Sequence, residues 1–238
     1  MYAKEFFDLQ LEFAERVSAL SGLPFARAVL EYTNLYIRFG CGRDFDPTHS
    51  RWQEYLAGLS NADDRHDWTY RFYVTRSEPV VPPGLVATFG CFSYARLTGD
   101  RIRLHFHDGD GDGRSPLAIE RCDRRRAELA SLFADVKRTT RDPARVVGAS
   151  WLYNLAAYRR LFPESYLATA HAIQHRFRHM PLWGQFMKRD GGVREDRARQ
   201  FQERLGRQSS LEGLDRCFPF QVLALEASVA DFYRFYGV

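Results

Sequence analysis

The chain has 238 residues, of which 45% are hydrophobic and 15% aromatic, a composition typical of a packed globular protein rather than a disordered one. Its formal net charge is +4, but the basic residues, nearly all arginine, are interleaved with carboxylates, which argues against a nucleic-acid surface. No apolar run is as long as a membrane span and the N-terminus has no signal pattern, so we expect a cytoplasmic protein that does not associate with membranes.

The four cysteines lie far apart, and no two of them form a C-x-x-C pair. This spacing argues against a zinc knuckle or a redox motif, so we expect reduced and mostly buried thiols. Cys41 and Cys91 are the candidates for a reactive thiolate, although neither has an activating group beside it in the sequence.

The N-terminal part of the chain predicts helices. Apolar residues recur at helical spacing over residues 4–20, and a second helix follows Pro24, which suits a first helical turn. A short third helix is predicted over residues 50–59. The segment of residues 68–75, WTYRFYVT, is aromatic and β-branched and therefore predicts a strand. Three prolines then predict a rigid connector: Pro79, Pro82 and Pro83.

The centre of the chain predicts a β-hairpin with strands over residues 85–97 and 101–108. If Gly99 and Asp100 are the two central residues of its turn, the cross-strand pairs are Leu97 with Ile102, Ala95 with Leu104 and Ser93 with Phe106. This register predicts one apolar face for the core: Phe89, Cys91, Ala95, Leu97, Ile102, Leu104 and Phe106. It predicts a second face with the residue types of binding surfaces: Phe92, Tyr94, Arg96, Arg103, His105 and His107.

A long helix is predicted after the hairpin, with Ser115 as its cap and Pro116 in its first turn. Its predicted buried stripe is Ala118, Cys122, Leu129, Phe133 and Val136. Three arginines are predicted to face outward: Arg121, Arg124 and Arg125. Asp142-Pro143 ends the helix, and residues 145–151 predict a buried strand.

The last third of the chain predicts shorter elements. Helices are predicted over residues 154–161, 193–207 and 230–236, and strands over residues 182–187 and 218–225, while residues 166–177 fit either. Together the elements predict one α+β domain over residues 1–238, with a central mixed, largely antiparallel sheet flanked by helices. Residues 1–60 form its helical N-terminal lobe and residues 68–238 its sheet-containing body.

The loop before the long helix, DGDGDGRSP, resembles the opening of an EF-hand calcium loop. Such a loop needs a bidentate Glu at its twelfth position, but counting from Asp108 that position is Ile119. A glycine-rich loop leading into a helix can also bind phosphate through backbone N–H groups. Because the aspartates repel an anion, phosphate is expected only beyond them, at Gly113, Arg114 and Ser115.

Three histidines, His171, His175 and His179, recur at intervals of four and share one face of either a helix or a strand. Imidazole clusters bind zinc, copper or nickel, so this set is a candidate metal site. The neighbouring Arg176 and Arg178 would repel a cation, which favours a solvated basic strip as the alternative interpretation.

The order of elements resembles that of the GNAT acyltransferases. The segment of residues 146–162, VVGASWLYNLAAYRRLF, is similar to that family's strand, asparagine-led helix and aromatic residue. The resemblance implies that acyl-CoA pyrophosphate lies on backbone N–H groups near Gly113, Arg114 and Ser115. It also implies that Tyr158 lies near the leaving thiol. The family's phosphate-binding loop has a different pattern from the residues that follow the glycines here.

Three functional hypotheses remain open. The first is an acyltransferase-like domain that binds an anionic cofactor or small acid beside the hairpin of residues 85–107, with Tyr158 and Cys91 as candidate catalytic residues. The second is a non-catalytic domain whose hairpin face receives a small acid or a partner protein. The third is a metalloprotein that uses the histidines. None of the residue patterns specifies a substrate or an oligomeric state.

Overall fold

The computed structural model describes residues 1–76, 84–139, 145–173 and 177–238. The predicted proline connector and the predicted helix break at residues 142–143 lie outside these ranges. The chain forms two compact units. The helical unit comprises Met1–Val80 and Gln174–Gln221, and the sheet unit comprises Val81–Ile173 and Val222–Val238.

The described residues form helices and strands with the following bounds. The helices are α1 (Lys4–Ser21), α2 (Phe25–Tyr32), α3 (Leu35–Arg38), α4 (Ser50–Asn61), α5 (Arg65–Arg76), α6 (Cys122–Thr139), α7 (Ala156–Arg159), α8 (Glu164–Leu167), α9 (Glu195–Gly206) and α10 (Val229–Tyr236). The strands are β1 (Leu85–Phe89), β2 (Phe92–Leu97), β3 (Arg101–Phe106), β4 (Arg145–Ser150), β5 (His171–Ala172) and β6 (Leu223–Ser228). Short 3₁₀ helices cover Ile119–Arg121, Trp151–Asn154, Met180–Phe186 and Leu211–Cys217.

The strands of the sheet unit form one open sheet in the order β1-β2-β3-β4-β6-β5. β3 pairs with β4 in parallel, and the other described pairs in the sheet are antiparallel. α6 lies in the crossover from β3 to β4 and packs against β1, β2 and α10. The predicted α+β fold, with a mixed and largely antiparallel sheet flanked by helices, is therefore confirmed.

The helical unit contains more of the chain than the predicted N-terminal lobe. α5 occupies residues 68–75, so the predicted strand there is wrong. The Asp64 carboxylate accepts two backbone N–H groups of the first turn, which favours a helix start at this point. The aromatic side chains then pack on α4, as Phe72 does on Tyr55 with ring centroids 5.3 Å apart, and this packing outweighs β propensity.

The strand predicted over residues 182–187 is also wrong, because Met180–Phe186 form a 3₁₀ helix. Trp183 and Phe186 lie one turn apart and are both fully buried in the same core, with ring centroids 6.0 Å apart. The Gln185 amide pairs with both backbone groups of Phe220, each at 2.9 Å, and so fixes the turn in place.

Phe13 on α1 is the centre of the aromatic core of the helical unit. Its ring centroid lies 5.3–5.7 Å from those of His179, Trp183, Phe201 and Phe218. These four residues all come from the second segment of the unit, Gln174–Gln221. Burial of their rings against α1 explains why this late part of the chain packs with the N-terminal helices.

The hairpin of β2 and β3 differs from the predicted register by one residue. Leu97 pairs with Arg101 rather than with Ile102. The turn therefore has three residues, and two of them, Gly99 and Asp100, have positive φ angles of 72° and 52°. The predicted two-residue turn is therefore wrong, and the turn belongs to the common class of three-residue hairpin turns that end in a left-handed residue.

This shift moves the side chains of β2 to the face opposite the predicted one, whereas those of β3 keep their predicted faces. Three residues of the predicted ligand face, Phe92, Tyr94 and Arg96, point toward α6 instead. Phe92 and Tyr94 are fully buried, the Tyr94 hydroxyl donates to Asp135 at 2.8 Å, and Arg96 donates to the carbonyl of Thr139 at 2.9 Å. The face opposite α6 carries Ser93, Ala95, Leu97, Arg101, Arg103 and His105.

The first strand of the predicted hairpin is in fact two strands. Phe89 pairs with Phe92 across a tight turn at Gly90 and Cys91, so β1 folds back on β2. Gly90 has a φ of 57°, and a Cβ there would overlap the Glu128 carboxylate. The turn therefore depends on a glycine that the sequence pattern does not distinguish from the other residues of a strand.

The remaining predictions agree with the structure to different extents. β4, α9 and α10 confirm the predicted elements over residues 145–151, 193–207 and 230–236. Residues 166–177 contain both alternatives, since α8 ends in this segment and β5 follows. The strand predicted over residues 218–225 begins only at Leu223, and the long helix predicted from Ser115 begins only at Cys122.

Gly148 on β4 lies against a buried pair of phenols. The hydroxyl groups of Tyr153 and Tyr166 are 2.8 Å apart, and a Cβ at position 148 would overlap both oxygens. We expect Gly148→Ala to lower the free energy of unfolding by about 1–3 kcal/mol through overpacking, measured by urea denaturation.

Gly206→Ala is the control, because no atom lies within 4 Å of its added Cβ at the end of α9. We expect that variant to be neutral or more stable by up to about 1 kcal/mol. Equal stability of Gly148→Ala and the unsubstituted protein would show that the phenol pair does not press on β4.

Candidate active site

The parallel strands β3 and β4 separate before they end. Their pairing covers Arg101 with Arg145, Ile102 with Val146 and Arg103 with Val147. Both strands continue for three residues beyond the last pair, to Phe106 and Ser150, without further pairing between them. A crevice therefore opens at the carboxyl ends of the two strands, the position where open sheets with parallel strands commonly bind ligands.

A cavity of about 140 Å³ lies in this crevice. It is lined by Leu104, His105, Phe106, Ala149, Ser150, Leu152, Tyr153 and Tyr158. Consecutive strand residues point to opposite faces of a sheet, yet both His105 and Phe106 line the cavity. The cavity therefore contacts residues that belong to both faces of β3.

Tyr158 places a phenol at the wall of the cavity. Its ring lies 5.4 Å from that of Phe106 and 5.1 Å from that of Tyr153. Burial, together with the neighbouring Tyr153, raises the pKa of Tyr158 well above its ordinary value. Burial, together with the neighbouring Tyr166, also raises the pKa of Tyr153 well above its ordinary value. The two hydroxyl groups thus remain protonated at neutral pH.

The loop of residues 108–116, hereafter the Gly/Asp loop, is held on α6 by ion pairs. The Asp110 side chain is 2% exposed and contacts Arg121, Arg124 at 3.0 Å and Arg125 at 3.1 Å. Asp112 contacts Arg121 as well. Burial alone would raise the pKa of Asp110, but hydrogen bonds from Arg125 and Arg121 outweigh it and lower that pKa.

Arg125 is fully buried at the centre of this network, so the prediction that it faces outward is wrong. Its guanidinium contacts Asp110, Glu128 at 2.7 Å and the thiol of Cys91. Glu128 also accepts the backbone N–H of Cys91 at 3.0 Å. One arginine thereby joins α6, the Gly/Asp loop and the turn between β1 and β2, and the two carboxylates compensate its buried charge.

Cys91, one of the candidate thiolates, is fully buried beside this arginine. Burial is the largest influence on its thiol and raises its pKa, although the N–H of Gly109, at 3.4 Å, and the charge of Arg125 oppose the change. A protonated and inaccessible thiol is a poor nucleophile, which argues against catalysis by Cys91.

The candidate phosphate-binding residues are all exposed: Gly113, Arg114 and Ser115. The N–H of Arg114 donates to the Asp112 carboxylate at 3.1 Å, so part of the backbone there is already hydrogen-bonded. Arg160 donates to the carbonyl of Leu117 at 2.6 Å. This bond links Leu117, just after the loop, to the segment just after Tyr158.

The predicted hairpin face does not form one site. Phe92, Tyr94 and Arg96 face α6, whereas Arg103 and His105 lie on the other face. His107 follows β3 and is exposed, with its N–H bonded to the carbonyl of Cys91 at 3.0 Å. Of the six residues, His105 is the one that lines the cavity.

The candidate metal-binding histidines are found in different environments. His171 is exposed on β5 in the sheet unit, and His179 is buried in the helical unit. His175 lies outside the described residues. Within the ranges that the structure describes, no three His, Cys, Asp or Glu side chains come together in a way that could hold a metal ion.

His179 lies beside a carboxylate, that of Asp215, which sequence reasoning missed. Its Nε2 lies 2.6 Å from Asp215, whose carboxylate also accepts a hydrogen bond from Arg178 at 3.1 Å. Its ring stacks on Tyr32 with centroids 5.3 Å apart. An even histidine spacing cannot reveal a partner that lies 36 positions away along the chain.

Comparison of the chain with family models, with curated proteins and with solved structures found no match in any of the three. None of the helices in the described ranges is both long and apolar enough to cross a membrane. The function is therefore inferred from the chemistry of the crevice and its surroundings.

The buried network makes a prediction for stability. We expect Arg125→Gln to lower the free energy of unfolding by about 3–5 kcal/mol, because it removes the fully buried charge that contacts both Asp110 and Glu128. Arg124→Gln is the control, since its side chain contacts the same two carboxylates but is 62% exposed, and we expect a loss below about 1 kcal/mol. Similar losses in the two variants, measured by urea denaturation, would contradict this account.

A second prediction concerns pH. Burial lowers the pKa of His179 below its ordinary value of 6.5, although Asp215 opposes the change. The unfolded chain then binds more protons than the folded one, so the free energy of unfolding should fall as the pH drops below 6.5.

The measurement is urea denaturation at a series of pH values between about 7 and 5.5. His179→Gln should reduce the pH dependence in this window, whereas His171→Gln, at the exposed histidine of β5, should leave it unchanged. A pH dependence that is the same in all three proteins would exclude His179 as its source.

Proposed function

We propose that the sheet unit is an acyltransferase-like domain that binds the acyl end of a thioester, such as acyl-CoA, in the crevice between β3 and β4. The observation that carries the proposal is the cavity where this parallel pair separates, with Tyr158 on its wall. A cavity of about 150 Å³ can bind a molecule as large as benzene, so the space suits a small acyl group.

The ion pairs of the Gly/Asp loop support the placement of an anionic cofactor. Of the aspartates that would repel phosphate, Asp110 is paired with Arg124 and Arg125 on α6, and Asp112 with Arg121. Gly113, Arg114 and Ser115 lie exposed beyond them. In this proposal the cofactor phosphate lies at these residues and the acyl group in the cavity; the hydrogen bond from Arg160 to Leu117 ties the segment after the loop to the segment after Tyr158.

The proposed reaction is direct acyl transfer to an amine. The amine nitrogen bonds to the thioester carbonyl carbon, and the carbon–sulfur bond breaks. His105, on the cavity wall, takes a proton from the amine, and the departing thiolate takes a proton from the Tyr158 hydroxyl. Solvent restores both residues. A buried phenol with a raised pKa is protonated before the reaction, as this role requires.

The test begins with binding. Acyl-CoA should raise the melting temperature of the full chain, since a ligand at about 100 times its Kd stabilises the folded state by about 2.7 kcal/mol. Tyr158→Phe should then lower kcat for acyl transfer by about 100-fold or more while leaving thioester binding intact.

Tyr166→Phe is the matched control, because it removes a hydroxyl of the same buried cluster that does not line the cavity. We expect this variant to keep its kcat. No rise in melting temperature with any acyl-CoA at millimolar concentration, or full activity in Tyr158→Phe, would exclude the proposed function.

A further inference from the structure

The sheet face opposite α6, hereafter the open face, carries charged residues next to the crevice. Its residues on the central strands are Arg101, Arg103 and His105 on β3, Arg145, Val147 and Ala149 on β4, and Ala224, Glu226 and Ser228 on β6. Arg103 and Ala149 are exposed. Because pairing between β3 and β4 ends at Arg103 and Val147, Arg103 lies at the mouth of the crevice.

The arginines of the open face differ in their partners. Arg145 lies 2.8 Å from the Glu226 carboxylate, and Arg101 donates to the carbonyl of Thr98 at 3.2 Å. The Arg103 side chain has no hydrogen-bond or ion-pair partner within the described part of the chain. None of the described residues uses its guanidinium donors, whose fork geometry matches a carboxylate.

Residues on both faces of β3 line the cavity. Asp110 ties the Gly/Asp loop to Arg124 and Arg125 on α6, so a thioester held by that loop lies on the α6 side of the sheet. His105 lines the cavity from the open face. An acceptor that passes its proton to His105 therefore approaches from the open face, past Arg103.

We propose that the acceptor is a small amine that carries a carboxylate, which Arg103 binds at the mouth of the crevice. The role of this molecule as an acyl acceptor rests on the proposed function. Arg103 and His105 lie two residues apart on one face, about 7 Å along the strand, which suits an amine and a carboxylate separated by a short spacer.

The experiment compares acids with their amides. Glycine, β-alanine and 4-aminobutyrate are each paired with the corresponding amide, and binding to the full chain is measured by calorimetry without an acyl donor. We expect at least one acid to bind about 10-fold more tightly than its amide, a difference typical of hydrogen bonds to a charged group. Acyl transfer from acyl-CoA should show the same preference in KM.

Arg103→Gln should remove the preference, and Arg103→Lys should restore part of it. Arg101→Gln is the matched control, since Arg101 lies on the same strand and face but about 7 Å further from the cavity, and it should keep the preference. Equal binding of acids and amides, or an unchanged preference in Arg103→Gln, would overturn the proposed acceptor.

The calorimetry also separates this proposal from the proposed function. If acids bind through Arg103 but no acyl-CoA raises the melting temperature, the carboxylate site stands and acyl transfer is excluded. If acyl transfer proceeds equally well to acids and amides, acyl transfer stands and the carboxylate site is overturned.

Discussion

The parallel pairing of β3 with β4 is the constraint on which the rest of the sheet unit depends. Parallel neighbours cannot be joined by a tight turn, so the chain must leave the sheet and return across its face. Here the crossover consists of the Gly/Asp loop and α6, and α6 covers the buried side of the hairpin. The same pairing creates the crevice, because it ends after three residue pairs and neither strand ends there.

The crossover is fixed by a buried arginine rather than by apolar packing alone. Arg125 lies between carboxylates of the Gly/Asp loop and of α6 itself, and its full burial would be unfavourable without both. A charge that needs two partners in fixed positions specifies where the loop lies more strictly than a hydrophobic contact does. Gly113, which is exposed, directly follows Asp112, and the Asp112 carboxylate is held by Arg121.

The sequence predicts the fold class and most elements because hydrophobic spacing reflects which face is buried. The prediction from sequence fails where contacts between residues distant in the chain determine the local structure. The segment of residues 68–75 is helical because its rings pack on α4, and Arg125 is buried because Asp110 reaches it. Local hydrophobic periodicity does not indicate either partner, α4 or Asp110. The separation of β3 from β4 likewise produces no recognisable sequence pattern in either strand.

The one-residue register error has a functional consequence. The predicted ligand face combined aromatic residues with arginines and histidines, and the structure divides them between the two sides of the sheet. Phe92 and Tyr94 build the core under α6, while Arg103 and His105 are left on the open face. Side chains on opposite faces of a sheet normally line different sites. At the crevice, residues from both faces of β3 line one cavity. The crevice is therefore the point of the sheet where the Tyr158 phenol and the His105 imidazole line the same cavity.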